Sequence, residues 1–214
     1  MLFRSHFFAM KFVDGGSLAS WIKARGSADA GPTAARLTAK IARAVHHAHQ
    51  RGILHRDIKP GNILLDFRDR EASLPEPMVT DFGLARRIEG ASEMTLSGMV
   101  VGSPSYMAPE QIRRRPADLR MDIYSFGCVL FELLARRPPF SAPNPDELLN
   151  KHLKATPPFL QAANNRASTE FSNLIMRMMA KDPEKRPASI ADFLVEFGKC
   201  QVYKAGALRK PGTT

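Results

Sequence analysis

His55-Arg56-Asp57-Ile58-Lys59-Pro60-Gly61-Asn62 puts a carboxylate, an ammonium and an amide within six residues of a loop-like segment. Phosphoryl transfer asks for such a set: a carboxylate to accept a hydroxyl proton, a cation for the phosphoryl group in flight, and an amide oxygen for a metal. Further on, Asp81-Phe82-Gly83 adds a second carboxylate on a turn that Gly83 lets bend. Asn62 and Asp81 are two hard oxygen ligands, which suits Mg²⁺, a cation that takes few protein ligands and completes its shell with substrate phosphates. Each triplet alone is a weak signal. The ordered set, followed by Ala108-Pro109-Glu110, is a strong one.

The elements around this loop are read from periodicity and punctuation. Upstream, apolar residues recur at Leu37, Ile41, Ala44, Val45 and Ala48 between Pro32 and Gln50, which is helical spacing, and Gly52 ends that helix. Earlier still, the apolar run from Phe7 to Val13 predicts a strand that stops at the turn Asp14-Gly15-Gly16, with a short helix opening at Ser17-Leu18. Downstream, Ile63-Leu64-Leu65 and Met78-Val79-Thr80 predict two short strands joined by a hairpin loop over 66–78, where Pro75 and Pro77 sit. Asp122 to Leu134 is apolar on nearly every face, the mark of a helix buried mid-domain. Further helices are predicted over 146–154, 169–180 and 190–198. The fold class is therefore α+β, mainly helical with a few short strands. One domain spans 1–200, and 201–214 is a basic tail expected to be disordered.

The chain has 214 residues, 44% of them apolar and 24% charged, the make-up of an ordinary globular protein. It holds no run of about 20 apolar residues, and its start, without a positive n-region or a small-residue cleavage site, is not expected to be a signal peptide. Two cysteines, Cys128 and Cys200, form neither a disulfide framework nor a metal-ligand spacing, so a reducing, cytoplasmic setting is expected. A net charge of +10 would permit nucleic-acid binding, but the basic clusters Arg86-Arg87, Arg113-Arg114-Arg115 and Arg136-Arg137 are short and scattered. They predict solvated surface, with no nucleic-acid partner. His46, His47 and His49 share a helix without a neighbouring carboxylate or cysteine in sequence, and are read as ordinary helix positions.

Taken in order, these motifs resemble the eukaryotic-like (Hanks-type) serine/threonine protein kinases of bacterial type, over roughly residues 7 to 198, and specifically their larger C-terminal lobe. The resemblance implies ATP and Mg²⁺ as cofactors and a protein Ser or Thr hydroxyl as substrate. Asp57 matches the catalytic base, Lys59 the phosphate-contacting lysine, and Asn62 and Asp81 the metal ligands. Lys59 two residues after Asp57 follows the serine/threonine rather than the tyrosine pattern. Met10-Lys11-Phe12-Val13-Asp14-Gly15-Gly16 is similar to the hinge. Met10 then stands as gatekeeper, the backbone of Lys11 and Val13 meets adenine, Ser17 lies near the ribose, and Leu64 floors the ring. By the same resemblance Ser103 bonds the catalytic loop, Glu110 and Arg186 form a buried ion pair, and Asp122 anchors the catalytic-loop backbone. His55 is expected to pack under Phe82 rather than titrate. Arg56 matches the arginine that pairs with an activation-segment phosphate, for which Thr95 and Ser97 are the candidate hydroxyls.

The family's smaller N-terminal lobe supplies a Gly-rich loop over the phosphates and a lysine for the α- and β-phosphates. No Gly-x-Gly-x-x-Gly occurs in this sequence, and only nine residues precede Met10. That lobe is expected upstream, and the chain alone is expected to be a poor enzyme. Its upper face should be left apolar and exposed. Two alternatives stand beside the kinase reading. One is an inactive C-lobe serving as a scaffold or decoy, which MgATP binding would discriminate. The other is a small-molecule phosphotransferase of related fold, against which Lys59, Ala108-Pro109-Glu110 and Arg186 speak.

Overall fold

The computed structural model describes residues 12–24, 31–67, 74–82, 104–116 and 118–204. Its elements are α1 (Leu18–Ala24), α2 (Gly31–His49), β1 (Ile63–Asp66), β2 (Glu76–Val79), α3 (Pro109–Ile112), α4 (Leu119–Ala135), α5 (Pro145–Lys154), α6 (Leu160–Ala163), α7 (Thr169–Met178) and α8 (Ile190–Lys199). Single 3₁₀ turns lie at Pro60–Asn62, Pro104–Tyr106 and Pro183–Lys185. The mainly helical α+β class read from the sequence is the class observed, with one two-stranded sheet among the described residues.

Helices α5, α7 and α8 begin where short polar side chains satisfy their first N–H groups. Asn144 accepts from Glu147 N at 2.9 Å, Ser168 from Phe171 N at 3.0 Å and Ser189 from Asp192 N at 3.1 Å. The all-round apolar α4 lies at the centre, with Met121 to Phe131, Leu133 and Leu134 all buried. Around it pack α2, α6, α7 and the 3₁₀ turn at 104–106. Gly127 makes the α4–α7 crossing close: a Cβ there would sit 2.9 Å from Met178 Cβ. Ring contacts Phe126–Phe193 and Phe171–Phe197 carry the core out to α8.

Two sequence expectations need correcting. The hairpin loop over 66–78 is shorter than predicted, because β2 begins at Glu76 and includes Pro77. A proline inside a strand argues against the strand unless no ladder hydrogen bond is needed at that position. Pro77 stands opposite Leu65, and Leu65 sends its N–H the other way, to Gly16 O at 2.9 Å, so the missing N–H of Pro77 costs nothing. The tail is also not free from residue 201 on. Val202 and Tyr203 are buried, Val202 O accepts from Ser168 N at 3.0 Å, and Tyr203 bridges Ala167. Two apolar side chains in the first four tail residues have enough surface to dock beside α7. Of the strand predicted over 7–13, residues 7–11 lie outside the described residues, and Phe12 and Val13 are in no strand.

Candidate active site

The two-stranded ladder brings the chemistry together. Asn62 precedes β1 and Thr80 follows β2, and antiparallel pairing of Ile63 with Val79 sets them at the same end. Thr80 closes that end, donating from its N–H to Asn62 O at 2.9 Å and from its hydroxyl at 3.2 Å. Asp81 follows directly, exposed and with φ 64, a left-handed turn in a residue that tolerates it. The backbone of Asp81 thus follows directly on the strand end at which Asn62 lies.

Asp57, Lys59 and Asn62 form one contact group. Lys59 Nζ donates to Asp57 Oδ2 at 2.6 Å. Asn62 Nδ2 donates to the same oxygen at 3.1 Å and to Asp57 O at 3.0 Å. The amide nitrogen of Asn62 directs its hydrogens at Asp57, and among the described residues no hydrogen bond engages its side-chain oxygen, a hard donor that could hold a cation. Among the described residues both donors converge on Oδ2 of Asp57 and none on its Oδ1.

Beneath this group the loop is tied to α4. Asp122 Oδ2 accepts from His55 N and Oδ1 from Arg56 N, each at 2.8 Å. A third partner was not foreseen from the sequence: His49 Nε2 lies 2.8 Å from Asp122 Oδ2, both side chains being buried. The residues stand 73 positions apart, so no local pattern joins them. His55 is buried and its ring stands 4.7 Å from that of Phe82, the packing expected.

The Glu110–Arg186 pair is bidentate, Nη1 to Oε1 at 2.6 Å and Nη2 to Oε2 at 2.9 Å. Elsewhere, Tyr106 donates to Oε2 of Glu132 on α4 at 2.5 Å, and burial raises the pKa of both groups. Gln111, which the sequence reading passed over, spans from α3 to the candidate loop. Its Nε2 donates to Arg56 O at 2.7 Å. The only sequence signal for it was its place directly after Glu110.

On the nucleotide side, Ser17 bridges Leu64, and Leu64 and Val13 are half-buried. Gly15 allows this turn to lie against β1, because a Cβ there would fall 2.0 Å from Leu65 O. Met10, Lys11, Thr95, Ser97 and Ser103 lie outside the described residues. Among the described residues no helix is long and apolar enough to cross a membrane.

The loop, the ladder end and the bidentate pair form one connected framework, and comparison with known proteins places the chain in a family. Residues 3–196 match the protein kinase domain family, and the chain belongs to it. It is 38% identical over 184 residues to the serine/threonine-protein kinase Pkn1 of Myxococcus xanthus, covering 86% of this chain and 26% of that protein. It is 32% identical to the serine/threonine-protein kinase PknB of Mycobacterium leprae over 89% of this chain and 30% of that protein. With the serine/threonine-protein kinase PknF of Mycobacterium tuberculosis the figures are 35%, 96% and 42%. The chain therefore spans between a quarter and two fifths of the length of these relatives.

Proposed function

We propose that this chain supplies the catalytic half of a serine/threonine protein kinase, transferring the γ-phosphoryl group of ATP to a Ser or Thr hydroxyl of a protein. The observation that carries the reading is the convergence of Lys59 and Asn62 on one oxygen of Asp57. A carboxylate held by one oxygen presents the other in a fixed direction, and a positioned base contributes about 10²–10⁴ in rate. Oδ1 takes up the hydroxyl proton as the substrate oxygen attacks phosphorus in line with the leaving oxygen. Lys59, already beside Asp57, faces the charge that grows on the phosphoryl oxygens.

The donor set fits Mg²⁺: an amide oxygen at Asn62 and a carboxylate at Asp81, both hard and few in number. Bound there, the cation would neutralise phosphate charge. Val13, Ser17 and Leu64, with Met10 and Lys11, form the adenosine side in this reading. Arg56 would answer a phosphate at Thr95 or Ser97.

The remaining nucleotide contacts come from an N-terminal lobe placed upstream. Phe12 and Phe67, 83% and 40% exposed on the two sides of the Gly15 turn, are the apolar surface such a lobe would cover. The setting is cytoplasmic, the partner a protein rather than a nucleic acid, and the kinase portion ends near residue 200.

The test joins this chain to an N-terminal kinase lobe and measures γ-phosphate transfer to a Ser/Thr peptide. Asp57→Asn should lower kcat by about 10²–10⁴ while leaving ATP binding in place. A folded fusion that binds no MgATP would overturn the enzyme reading and favour an interaction module.

A further inference from the structure

We infer that Gln111 is a positioning residue for Asp57, acting through the peptide unit that joins Arg56 to Asp57; this rests on the reading of Asp57 as the base. The carboxamide of Gln111 is held at both ends. Its Oε1 accepts from Ala108 N at 2.9 Å and its Nε2 donates to Arg56 O at 2.7 Å. Turned over, the amide would set oxygen against the Arg56 carbonyl and NH₂ against the Ala108 N–H, so its orientation is fixed.

The peptide it reaches is under constraint. Arg56 has φ 67, a left-handed conformation that a residue with a side chain adopts at a cost and keeps only where its surroundings over-determine it. Two long-range contacts do so. Asp122, 66 residues on, takes the Arg56 N–H at 2.8 Å, and Gln111, 55 residues on, takes the Arg56 carbonyl. Both polar groups of this residue's backbone are therefore held by side chains of other elements.

The Arg56 carbonyl and the Asp57 N–H belong to one planar unit. Among the described residues, the hydrogen bond on its Asp57 side goes to His55 Nδ1, at a long 3.3 Å. The bond from Gln111 is the shorter hold, so it fixes the tilt of the plane. That tilt sets the direction in which Asp57 carries its carboxylate. Because Gln111 follows Glu110 on α3, and Glu110 is clamped by Arg186, the plane is referenced to the buried core rather than to the loop itself.

The experiment replaces one donor. Gln111→Glu keeps the length and an oxygen for Ala108 N–H, but turns an oxygen to the Arg56 carbonyl. Gln111→Met removes both partners. Amide exchange of Arg56, Asp57 and Ala108 is read by NMR on this chain. In Gln111→Glu, Arg56 and Asp57 should exchange about tenfold faster with Ala108 still protected, and in Gln111→Met all three should loosen. In the active fusion, Gln111→Glu should lower kcat by up to about 10²-fold with KM for ATP unchanged, as expected for a misplaced reacting group.

Exchange at Arg56 and Asp57 that stays as in the wild type in both variants would overturn the inference. If Gln111→Glu does not fold, the same two amides in Gln111→Met decide. Failure of both to fold would assign Gln111 to stability and overturn positioning. Faster exchange in a fusion whose Asp57→Asn variant keeps full activity would leave the clamp standing and remove the role given to Asp57.

Discussion

Two ion pairs, one within the candidate site and one outside it, are built in opposite ways. Arg186 and Glu110 meet through two bonds with side chains 0% and 6% exposed, and Arg186 also donates to Ala180 O and Arg120 O, each at 2.8 Å. Its guanidinium lies 4.9 Å from the centre of the Tyr124 ring. Lys59 and Asp57 meet through one bond, with side chains 24% and 31% exposed. Arg186 has every donor placed by protein, and its charge is compensated only there. Among the described residues Lys59 has one partner, Asp57, and its side chain keeps a way out to water. The first arrangement fixes architecture, and the second, in the proposed reading, exchanges its partner for a substrate without unfolding anything.

The largest effect should come from breaking the buried pair. Arg186→Ala leaves the Glu110 carboxylate buried and uncompensated, which typically costs about 3–5 kcal/mol. Urea unfolding of the variant against the wild type checks this. A loss below about 1 kcal/mol would mean that water reaches Glu110 and that the two pairs are alike after all.

The same buried region should also answer to acid. His152 is fully buried, its Nδ1 3.0 Å from the Tyr124 hydroxyl, which accepts from Lys181 Nζ at 3.1 Å. Lys181 also lies 4.4 Å from the centre of the Phe140 ring, and that ring stands 4.9 Å from the imidazole. Burial first, and the Lys181 charge second, lower the His152 pKa from 6.5 to about 4. The unfolded chain thus takes up this proton near pH 6.5 and the folded chain only near 4. Stability is full above about 6.5 and falls as the pH drops towards 4, by up to about 1.4 kcal/mol per pH unit and of order 3 kcal/mol in all. Urea midpoints from pH 7.5 to 4 should show this slope in the wild type and lose it in His152→Gln. Equal slopes in the two proteins would show that the buried region admits the proton freely.

What the sequence disclosed divides along the same line. Asp57, Lys59 and Asn62 could be picked out because their chemistry is compressed into six residues, and the structure brings them into contact. The buried helix α4 and the helices predicted over 146–154, 169–180 and 190–198 followed from pattern, since periodicity is local physics, whereas their caps Asn144, Ser168 and Ser189 were not read. His49 and Gln111 stayed hidden because each acts on a partner more than 50 residues away, and neither a helix histidine nor an exposed-looking glutamine announces such a bond. Pro77 misled because strand tolerance of proline depends on which neighbour takes the opposite N–H, a fact of register that composition does not carry.

The smallest effect on stability, and the one that sharpens the contrast most, belongs to Lys59→Met. The substitution keeps the apolar stem and removes one half-exposed charge, and pairs of that kind are worth about 0–1 kcal/mol. Asp57 would not be orphaned, because Asn62 Nδ2 still donates to its Oδ2 at 3.1 Å and to its backbone carbonyl at 3.0 Å. The urea midpoint should therefore stay close to that of the wild type. Activity in the fused enzyme should not: removing a preorganised charge that faces developing negative charge typically costs about 10²–10³ in kcat. Stability and turnover would part company at Lys59, whereas at Arg186 they should fall together. A Lys59→Met variant that loses stability as Arg186→Ala does would show that the Lys59–Asp57 contact is part of the frame, and it would remove the freedom of Lys59 to leave Asp57 for a phosphoryl oxygen.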